Sequence, residues 1–427
     1  MINVGAKIID ITPPAGLFMA GFTARTEPAT AAHDRLTARA LVVEKTAFVT
    51  VDVIGIDAAL SKRARERCAL PDDAITIAAT HTHGGPASMS GRLSSKADPA
   101  FIEHLETSIV QAINGAASNQ QPCRMYGGTG IEPQFARNRR QPKGPVDCGV
   151  PVLRFENMDG QPIAILVSYA CHPVVLGPDN LSWTGDYPHF LRKELEATNP
   201  GATAIFATGC AGDVNTGHSA ASSLTKEARP ERSFSMAKTI GVGVAQSVAN
   251  ANLSELCGGV GCAESYGYLT FEQREVRSSA ALAEEWGAKA DGPQLIHAIW
   301  ARWAETIMGK GIAPRKARCT ALDWCGAKII TMPGEIFAKT ALDMRQNLKP
   351  EAPLLLLAYG DDNPGYIPPR DDYARGGYEI EEAHRFYGLG ATIAPGTAEH
   401  LADVGCKAAA TAAKMATNLQ LIKRSKS

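Results

Sequence analysis

Several features that would place this chain in a familiar class are absent from its 427 residues. No run of eighteen apolar residues occurs, so a hydrophobic helix of membrane-spanning length is excluded. The formal net charge is only −1, and no electrostatic attraction therefore favours nucleic acid or an anionic membrane. The N-terminus lacks the basic segment and continuous apolar stretch of a secretory signal peptide. We therefore expect neither a nucleic-acid partner nor a transmembrane segment.

Signatures of several catalytic classes are missing as well. No G-x-S-x-G elbow occurs, and the segment from Gly209 to Gly212 is too short for a Walker loop and lacks its Gly-Lys-Ser/Thr. Cys171 and His172 are neighbours at the end of a strand-like segment, where adjacent side chains point to opposite faces and cannot form a dyad. These absences favour metal-assisted catalysis over a side-chain nucleophile.

Ten cysteines are scattered along the chain without a C-x-x-C pair. This usage is typical of reduced, mostly buried thiols in a cytosolic protein, and we predict a cytoplasmic location. An exported form, with its signal peptide removed, is the alternative. Cys257 with Cys262, or Cys319 with Cys325, would then be candidate disulfides, although neither spacing is diagnostic.

The composition, with 45% hydrophobic and 20% charged residues, is that of an ordinary soluble domain. Strand-like apolar segments and helical patterns follow one another along the whole chain, without a repeat, a low-complexity tract or a linker. The pattern predicts an α/β fold in which a large mixed β-sheet is flanked by helices, with residues 1–427 forming a single domain.

Local signals mark individual elements of this fold. Ala38 to Val43 and Phe48 to Val53 read as two strands of a hairpin. Asp57 predicts the start of one helix, and Asp98 followed by proline predicts another. Helical spacing of apolar residues predicts one or two amphipathic helices between Ala280 and Met308, with a stripe formed by Leu295, Ile299, Trp303 and Ile307.

Four runs share one layout, an apolar strand-like stretch followed at once by polar residues. They are ITIAATHTHGGP (Ile75 to Pro86), AILVSYACHP (Ala164 to Pro173), KIITMPGEIF (Lys328 to Phe337) and LLLLAYGDDNPGYIPPR (Leu354 to Arg370). Ligands of α/β proteins bind beyond the carboxyl ends of the strands. The layout therefore predicts one shared site at those ends, formed by His81, His83, His172, Glu335 and Tyr366.

The residue types at this predicted site favour zinc. His81 and His83 are two apart in extended chain, so both imidazoles can face one pocket, one as a metal ligand and one as a proton carrier. His172 also follows a strand. Glu335, at the predicted start of a helix, would complete a His-His-Glu set of zinc ligands. Each residue alone has a structural explanation, such as an acid that complements a helix dipole; together they indicate a zinc hydrolase.

The chain resembles the catalytic domain of the neutral (alkaline, non-lysosomal) ceramidase family in seven segments that keep the same order. They are ITPPAG, THTHGGP, the Asn138-Arg139-Arg140 run, ACHP, GCAGDVN, MPGE and GYIPPRDDYARGGYE. The resemblance implies one Zn²⁺ ion held by His81, His172, Glu335 and Tyr366. It also implies that His83 assists proton transfer and that Arg139 and Tyr378 hold the substrate carbonyl or the oxyanion.

The resemblance has departures that bear on function. The corresponding segments of ceramidases resemble HTHSGP and DVSPN, and this chain has Gly84 and Asn215 in place of their serines. The family's C-terminal immunoglobulin-like domain is not expected within this length. What the resemblance implies is zinc-dependent hydrolysis of an amide (N-acyl) bond in a small-molecule substrate, with lipid metabolism as the setting.

Two alternatives remain open at this point. One is an esterase or lactonase that uses the same zinc site, and the other is a non-catalytic binding protein that keeps the fold. The identity of the substrate, its acyl chain length and the oligomeric state have no signature in the sequence.

Overall fold

The protein is described here from a computed structural model. The structure describes residues 1–93, 97–289 and 296–424, and the side chains of the last helix as far as residue 418. Two sheets dominate it, one of nine strands and one of four. The nine strands of the larger sheet are β1 (Ile2–Asp10), β2 (Thr37–Val43), β3 (Thr46–Val51), β4 (Ile75–Ala79), β5 (Gln121–Ile131), β6 (Gly149–Asn157), β7 (Pro162–Tyr169), β8 (Thr203–Thr208) and β9 (Ser254–Leu256).

The smaller sheet follows in the chain. Its four strands are β10 (Val260–Leu269), β11 (Arg315–Trp324), β12 (Ala327–Thr331) and β13 (Leu354–Leu357). Four further pairs of two-residue strands join loops, and their members are Ala31–Ala32 with Ser182–Trp183, Arg137–Asn138 with Val214–Asn215, Phe271–Glu272 with Thr392–Ile393, and Glu335–Ile336 with Tyr366–Ile367.

The larger sheet is mixed, as predicted. Its strands run in the order β8-β7-β6-β5-β1-β2-β3-β4, and β9 also pairs with β5. The pairs β7–β8 and β3–β4 are parallel and the others antiparallel. The predicted hairpin is confirmed, because Val43 pairs with Thr46 across a turn in which Glu44 has a φ of 54°. In the smaller sheet, ordered β10-β11-β12-β13, only β12–β13 is parallel.

Nine α-helices lie in the described ranges. They are α1 (Ala58–Glu66), α2 (Pro99–Ser118), α3 (Tyr187–Thr198), α4 (Phe234–Ala249), α5 (Ser279–Gly287), α6 (Ile296–Thr306), α7 (Ala338–Leu348), α8 (Tyr378–Glu381) and α9 (Thr397–Arg424). Both predicted N-caps are confirmed, since the carboxylates of Asp57 and Asp98 accept from the main-chain N–H of Leu60 and Phe101. Leu295, of the predicted apolar stripe, lies outside the described residues.

The predicted start of one helix was wrong. The sequence predicts a helix that begins at Glu335 or Ile336, whereas α7 begins at Ala338 and Glu335 lies in a short parallel bridge beside Tyr366. The fully buried Glu335 therefore does not complement a helix dipole at the surface. The helix-dipole explanation for Glu335 therefore does not hold.

The two sheets pack face to face. Phe48, Phe155 and Leu166 of the larger sheet form one core with Trp324 and Leu355 of the smaller sheet. Helices α2, α3 and α4 cover the outer face of the larger sheet, and α7 and α9 cover the outer face of the smaller sheet. The result is four layers, helix–sheet–sheet–helix, in which burial of apolar surface between all layers supplies the main stabilisation.

This arrangement brings the four predicted strand ends together. Strands β4 and β7 belong to the larger sheet, and β12 and β13 to the smaller one, so each sheet contributes two ends. Isolated bridges from Ala78 to Gly360 and from Gly209 to Leu357 join the two sheets at that edge. None of the helices in the described ranges has the length and hydrophobicity needed to cross a bilayer, and all ten cysteines, which lie in those ranges, are free thiols.

Candidate metal centre and catalytic site

Three buried side chains converge where the strand ends meet. The ligand atoms of His81, His172 and Glu335 all lie within 4.8 Å of one another, and each residue is at most 1% exposed. Glu335 Oε2 is 2.9 Å from His172 Nε2 and 3.4 Å from His81 Nε2. Two imidazoles and one carboxylate form a donor set that zinc accepts.

Main-chain carbonyls fix both imidazoles through Nδ1. His81 Nδ1 lies 2.6 Å from Ile54 O, and His172 Nδ1 lies 2.6 Å from Ala211 O. Because a carbonyl only accepts, the proton of each neutral ring belongs on Nδ1, and each Nε2 is left as an acceptor directed at Glu335. Three acceptors that face one another repel unless a cation lies between them. The residues therefore fit a metal ion.

The electrostatics of the group agree with this protonation. Burial lowers the pKa of His172 to about 4, so this ring is neutral at physiological pH. A neutral imidazole and an ionised carboxylate are the forms that bind metals.

Two tyrosines that the sequence analysis missed support the group. Tyr387, which is buried, donates its hydroxyl hydrogen to Glu335 Oε1 and leaves Oε2 for the two histidines. The Tyr359 ring stacks on His81 with centroids 4.1 Å apart and an interplanar angle of 19°. Tyr359 ends the apolar run of β13, so the strand-end rule could have identified it. Tyr387 follows no such run and has no sequence signal.

Tyr366 and Arg139 lie together beside His81, His172 and Glu335, three residues that we call the metal group because they could hold a metal ion. Tyr366 is in register with Glu335 in their two-residue bridge, and its hydroxyl accepts a hydrogen bond of 2.9 Å from Arg139 Nη2. Burial raises the pKa of Tyr366 well above its ordinary value, and the Arg139 guanidinium opposes that rise. The positive charge of Arg139 thus favours the phenolate of Tyr366, the form in which tyrosine would bind a metal.

Arg139 is held in place by three acceptors. Besides Tyr366, it donates from Nε to Glu379 Oε1 at 2.9 Å and from Nη2 to Gly212 O at 3.0 Å. Tyr378 precedes Glu379 in the chain, and its ring lies 5.9 Å from that of Tyr366 in an edge-on arrangement. Burial raises the pKa of Tyr378, which keeps its hydroxyl protonated and able to donate. The structure therefore brings both predicted oxyanion residues to the site.

His83 is the half-buried member of the cluster. Its Nε2 lies 3.4 Å from His81 Nε2, and the two rings meet edge to face with centroids 5.0 Å apart. Burial, together with the nearby imidazoles, lowers the pKa of His83 well below its ordinary value. A neutral ring beside the metal group is able to accept a proton.

Known proteins resemble this chain in sequence and in fold. Residues 2–233, more than half of the chain, match the family model described as neutral/alkaline non-lysosomal ceramidase, N-terminal. The chain belongs to this family. A crystal structure of neutral ceramidase from Pseudomonas aeruginosa is similar, with a TM-score of 0.75 and 17% identity over 97% of this chain and 75% of that chain. A ceramidase complexed with C2 has a TM-score of 0.75 and 16% identity over 97% of this chain and 76% of that one.

The structure explains how this family member accommodates its two departures. At Gly84 a Cβ would overlap the carbonyl oxygen of Thr184, so this backbone has no room for a serine. The side chain of Asn215 accepts from the N–H groups of Gly217 and His218, at 2.8 and 3.0 Å, and closes the turn after GCAGDV. Gly84 directly follows His83, and Asn215 pairs with Arg137 in a two-residue bridge, so both positions lie in loops next to the seven predicted side chains.

Family membership confirms the resemblance seen in the sequence, and the mixed α/β fold with a buried group able to bind metal is confirmed by the structure. Zinc as the metal of this ceramidase-family protein stays a prediction. So do the roles assigned to the individual residues, and the organisation of residues 1–427 as a single domain.

Proposed function

We propose that this chain is a zinc-dependent hydrolase of an amide (N-acyl) bond. The observation that carries the proposal is the buried group of His81, His172 and Glu335, whose acceptors face one another and need a cation between them. Membership of the ceramidase family supports amide hydrolysis. A small lipid amide is the substrate class that the family supports best.

The metal would be held by His81, His172 and Glu335, with Tyr366 as the fourth ligand. Zinc in such a site supplies a water of lowered pKa and polarises the substrate carbonyl. The neutral ring of His83, with Nε2 directed at the metal group, accepts the proton of the attacking water and returns it to the leaving amine.

Arg139 and Tyr378 act on the carbonyl oxygen of the substrate. Tyr378 retains its proton, since burial raises its pKa, and donates a hydrogen bond to the developing oxyanion. Arg139 adds a positive charge whose position is fixed by Glu379 and Gly212. A single preorganised donor of this kind contributes about 3 kcal/mol of transition-state stabilisation.

The test combines metal content with turnover of a panel of N-acyl amides and esters. We expect stoichiometric zinc and amide hydrolysis in the wild type. His81→Ala should lose both metal and activity, whereas His83→Ala should keep the metal and lose activity by about 10²- to 10⁴-fold. His104→Ala, on the exposed face of α2, is the matched control and should change neither.

The panel also separates the alternatives. Turnover of esters or lactones without any amide would favour an esterase or lactonase on the same residues. Bound zinc without hydrolysis of any acyl compound would contradict an enzyme and indicate a binding protein.

A further inference from the structure

The ring of His83 is not oriented by a hydrogen bond at Nδ1. Its Nδ1 is buried and has no hydrogen-bond partner among the described residues. A histidine that transfers protons is ordinarily oriented by a carboxylate or carbonyl at its other ring nitrogen, as the carbonyls of Ile54 and Ala211 orient His81 and His172. The ring of His83 must therefore be held by packing.

The packing comes from residues 18–25, which we call the N-terminal clamp. The clamp lies against the loop that follows His83. Ala20 N donates to Gly85 O at 3.3 Å, and Ala87 N donates to Phe18 O at 2.9 Å. These two bonds tie the clamp to the same backbone that carries His83, so their relative positions are fixed.

Two clamp residues contact the imidazole directly. Gly21 has a φ of 101°, and a Cβ there would overlap Nδ1 of His83 and lie 2.7 Å from its Cγ. The backbone of the clamp thus closes off the ring edge that carries Nδ1. Phe22 packs against the same imidazole, with ring centroids 4.8 Å apart.

Arg25 completes the clamp through the main chain. Its Nη1 donates to His83 O at 2.7 Å and to Ala20 O at 3.3 Å, and its Nη2 donates to Gly177 O at 3.2 Å. The guanidinium also lies 4.8 Å from the centroid of the Phe22 ring. Arg25 is 6% exposed, so one buried side chain connects the clamp, the His83 backbone and the loop after His172.

We propose that Gly21, Phe22 and Arg25 are positioning residues for His83. They fix its ring by steric contact at Nδ1 and by a hydrogen bond to its carbonyl, and they leave Nε2 as the nitrogen directed at the metal group. The inference rests on the proposed function, in which His83 carries the proton.

A matched pair of glycines tests the clamp. Gly16 and Gly21 have similar φ values of 108° and 101°, but a Cβ at Gly16 meets open space. Gly21→Ala and Gly16→Ala therefore impose comparable backbone strain, and only the first displaces His83. We expect Gly21→Ala to lower kcat by about 10²-fold, with KM and zinc content unchanged, and Gly16→Ala to retain the wild-type kcat.

A second readout is independent of turnover. In zinc-free protein labelled with ¹⁵N-histidine, the His83 signals are assigned by their loss in His83→Ala. We expect these signals to move in Gly21→Ala and to stay at their wild-type positions in Gly16→Ala. Arg25→Met should lower kcat by about tenfold, and Arg25→Lys, which keeps a positively charged donor group, should recover part of that loss.

The outcomes are distinguishable. Wild-type kcat and unmoved His83 signals in Gly21→Ala would overturn the clamp. Moved signals together with an absence of acyl hydrolysis by any form would support the clamp and reject the proposed function. If Gly21→Ala does not fold, Phe22→Leu carries the same two readouts, because it removes the ring contact without backbone strain.

Discussion

Two residues of the site have backbone conformations that local sequence does not favour. His81 and Tyr359 have φ values of 64° and 59°, in the left-handed region, where a non-glycine residue costs about 1–3 kcal/mol. Each follows a strand that ends at the site. The turn at His81 brings Nδ1 to the carbonyl of Ile54, and the turn at Tyr359 lays its ring on His81. Strain at these residues is thus coupled to the orientation of His81, a proposed metal ligand.

Asp186, at the start of α3, is another non-glycine residue with a positive φ, of 57°. Its carboxylate caps α3 by accepting from Tyr187 N at 2.7 Å and also accepts from Leu176 N at 3.0 Å. Burial raises the pKa of Asp186 to about 6, despite these hydrogen bonds. Asp186 thus joins the loop at Leu176 to α3, and its carboxyl is more readily protonated in the folded protein than in the unfolded chain.

This raised pKa predicts a pH dependence of stability. The folded protein binds more protons at Asp186 than the unfolded chain does between pH 3.8 and about 6, so the contribution of this residue is present below that window and is lost as the pH rises through it. Asp186→Asn removes the titrating carboxyl, so the variant lacks this pH-dependent contribution to the free energy of unfolding. Urea unfolding at pH 4 and pH 7 should show the variant gaining up to about 3 kcal/mol relative to the wild type at the higher pH. A difference that stays constant with pH would contradict the assignment.

At the scale of elements, α9 lies unusually close to β10. Gly259 immediately precedes β10 and Gly261 lies within it, and a Cβ at either would overlap a carbonyl oxygen of α9, that of Ala416 or Ala412 respectively. Residues two apart in a strand face the same side, so both glycines face the helix. The alanine-rich face of α9 and this pair of glycines allow the two backbones to come into contact.

Adding one methyl group at this contact should therefore destabilise the protein. For Gly261→Ala we expect a loss of about 1–3 kcal/mol in the free energy of unfolding, because the helix must move away from the sheet. Gly287→Ala, at the end of α5 where a Cβ meets open space, is the control and should be neutral or stabilise by about 0.5–1 kcal/mol. Urea unfolding of both variants provides the comparison, and equal effects would show that the close packing of α9 is not required.

Elements with local causes were predictable from sequence, and those with distant causes were not. The caps at Asp57 and Asp98 depend on residues three positions away, and the sequence identified both. The helix start at Glu335 was wrong because the chain remains extended after Gly334, whose φ of 76° places it against Gly365 and lets Glu335 pair with Tyr366. That partner lies far along the chain.

The same distinction applies to the site. His81, His172 and Glu335 each follow an apolar run, so strand-end logic located all three. The resemblance added Arg139 and Tyr378, and only the tertiary structure revealed Tyr387, which reaches Glu335 from beyond α8. The division into two sheets was also missed, since four apolar runs look alike whichever sheet contains them.

At the scale of the whole molecule, the metal group lies between the two sheets. His81 and His172 follow strands of the larger sheet, and Glu335 follows a strand of the smaller sheet. A cation held by all three would therefore connect the sheets directly. Without a cation, the same three acceptors repel one another across that boundary.

This arrangement predicts that zinc stabilises the protein. It also predicts that the order of stability between the wild type and one variant differs with and without zinc. Zinc at about 100 times its dissociation constant should stabilise the wild type by about 2.7 kcal/mol relative to chelator. In Glu335→Gln the amide replaces the charge and offers a donor to His172 Nε2, which lies 2.9 Å from the carboxylate. We expect Glu335→Gln to have the higher Tm in chelator, by the equivalent of about 1 kcal/mol, and the lower Tm in zinc. Thermal unfolding of both proteins, in chelator and in zinc, shows which has the higher Tm in each condition. A variant less stable than the wild type in chelator would show that the acceptors do not repel.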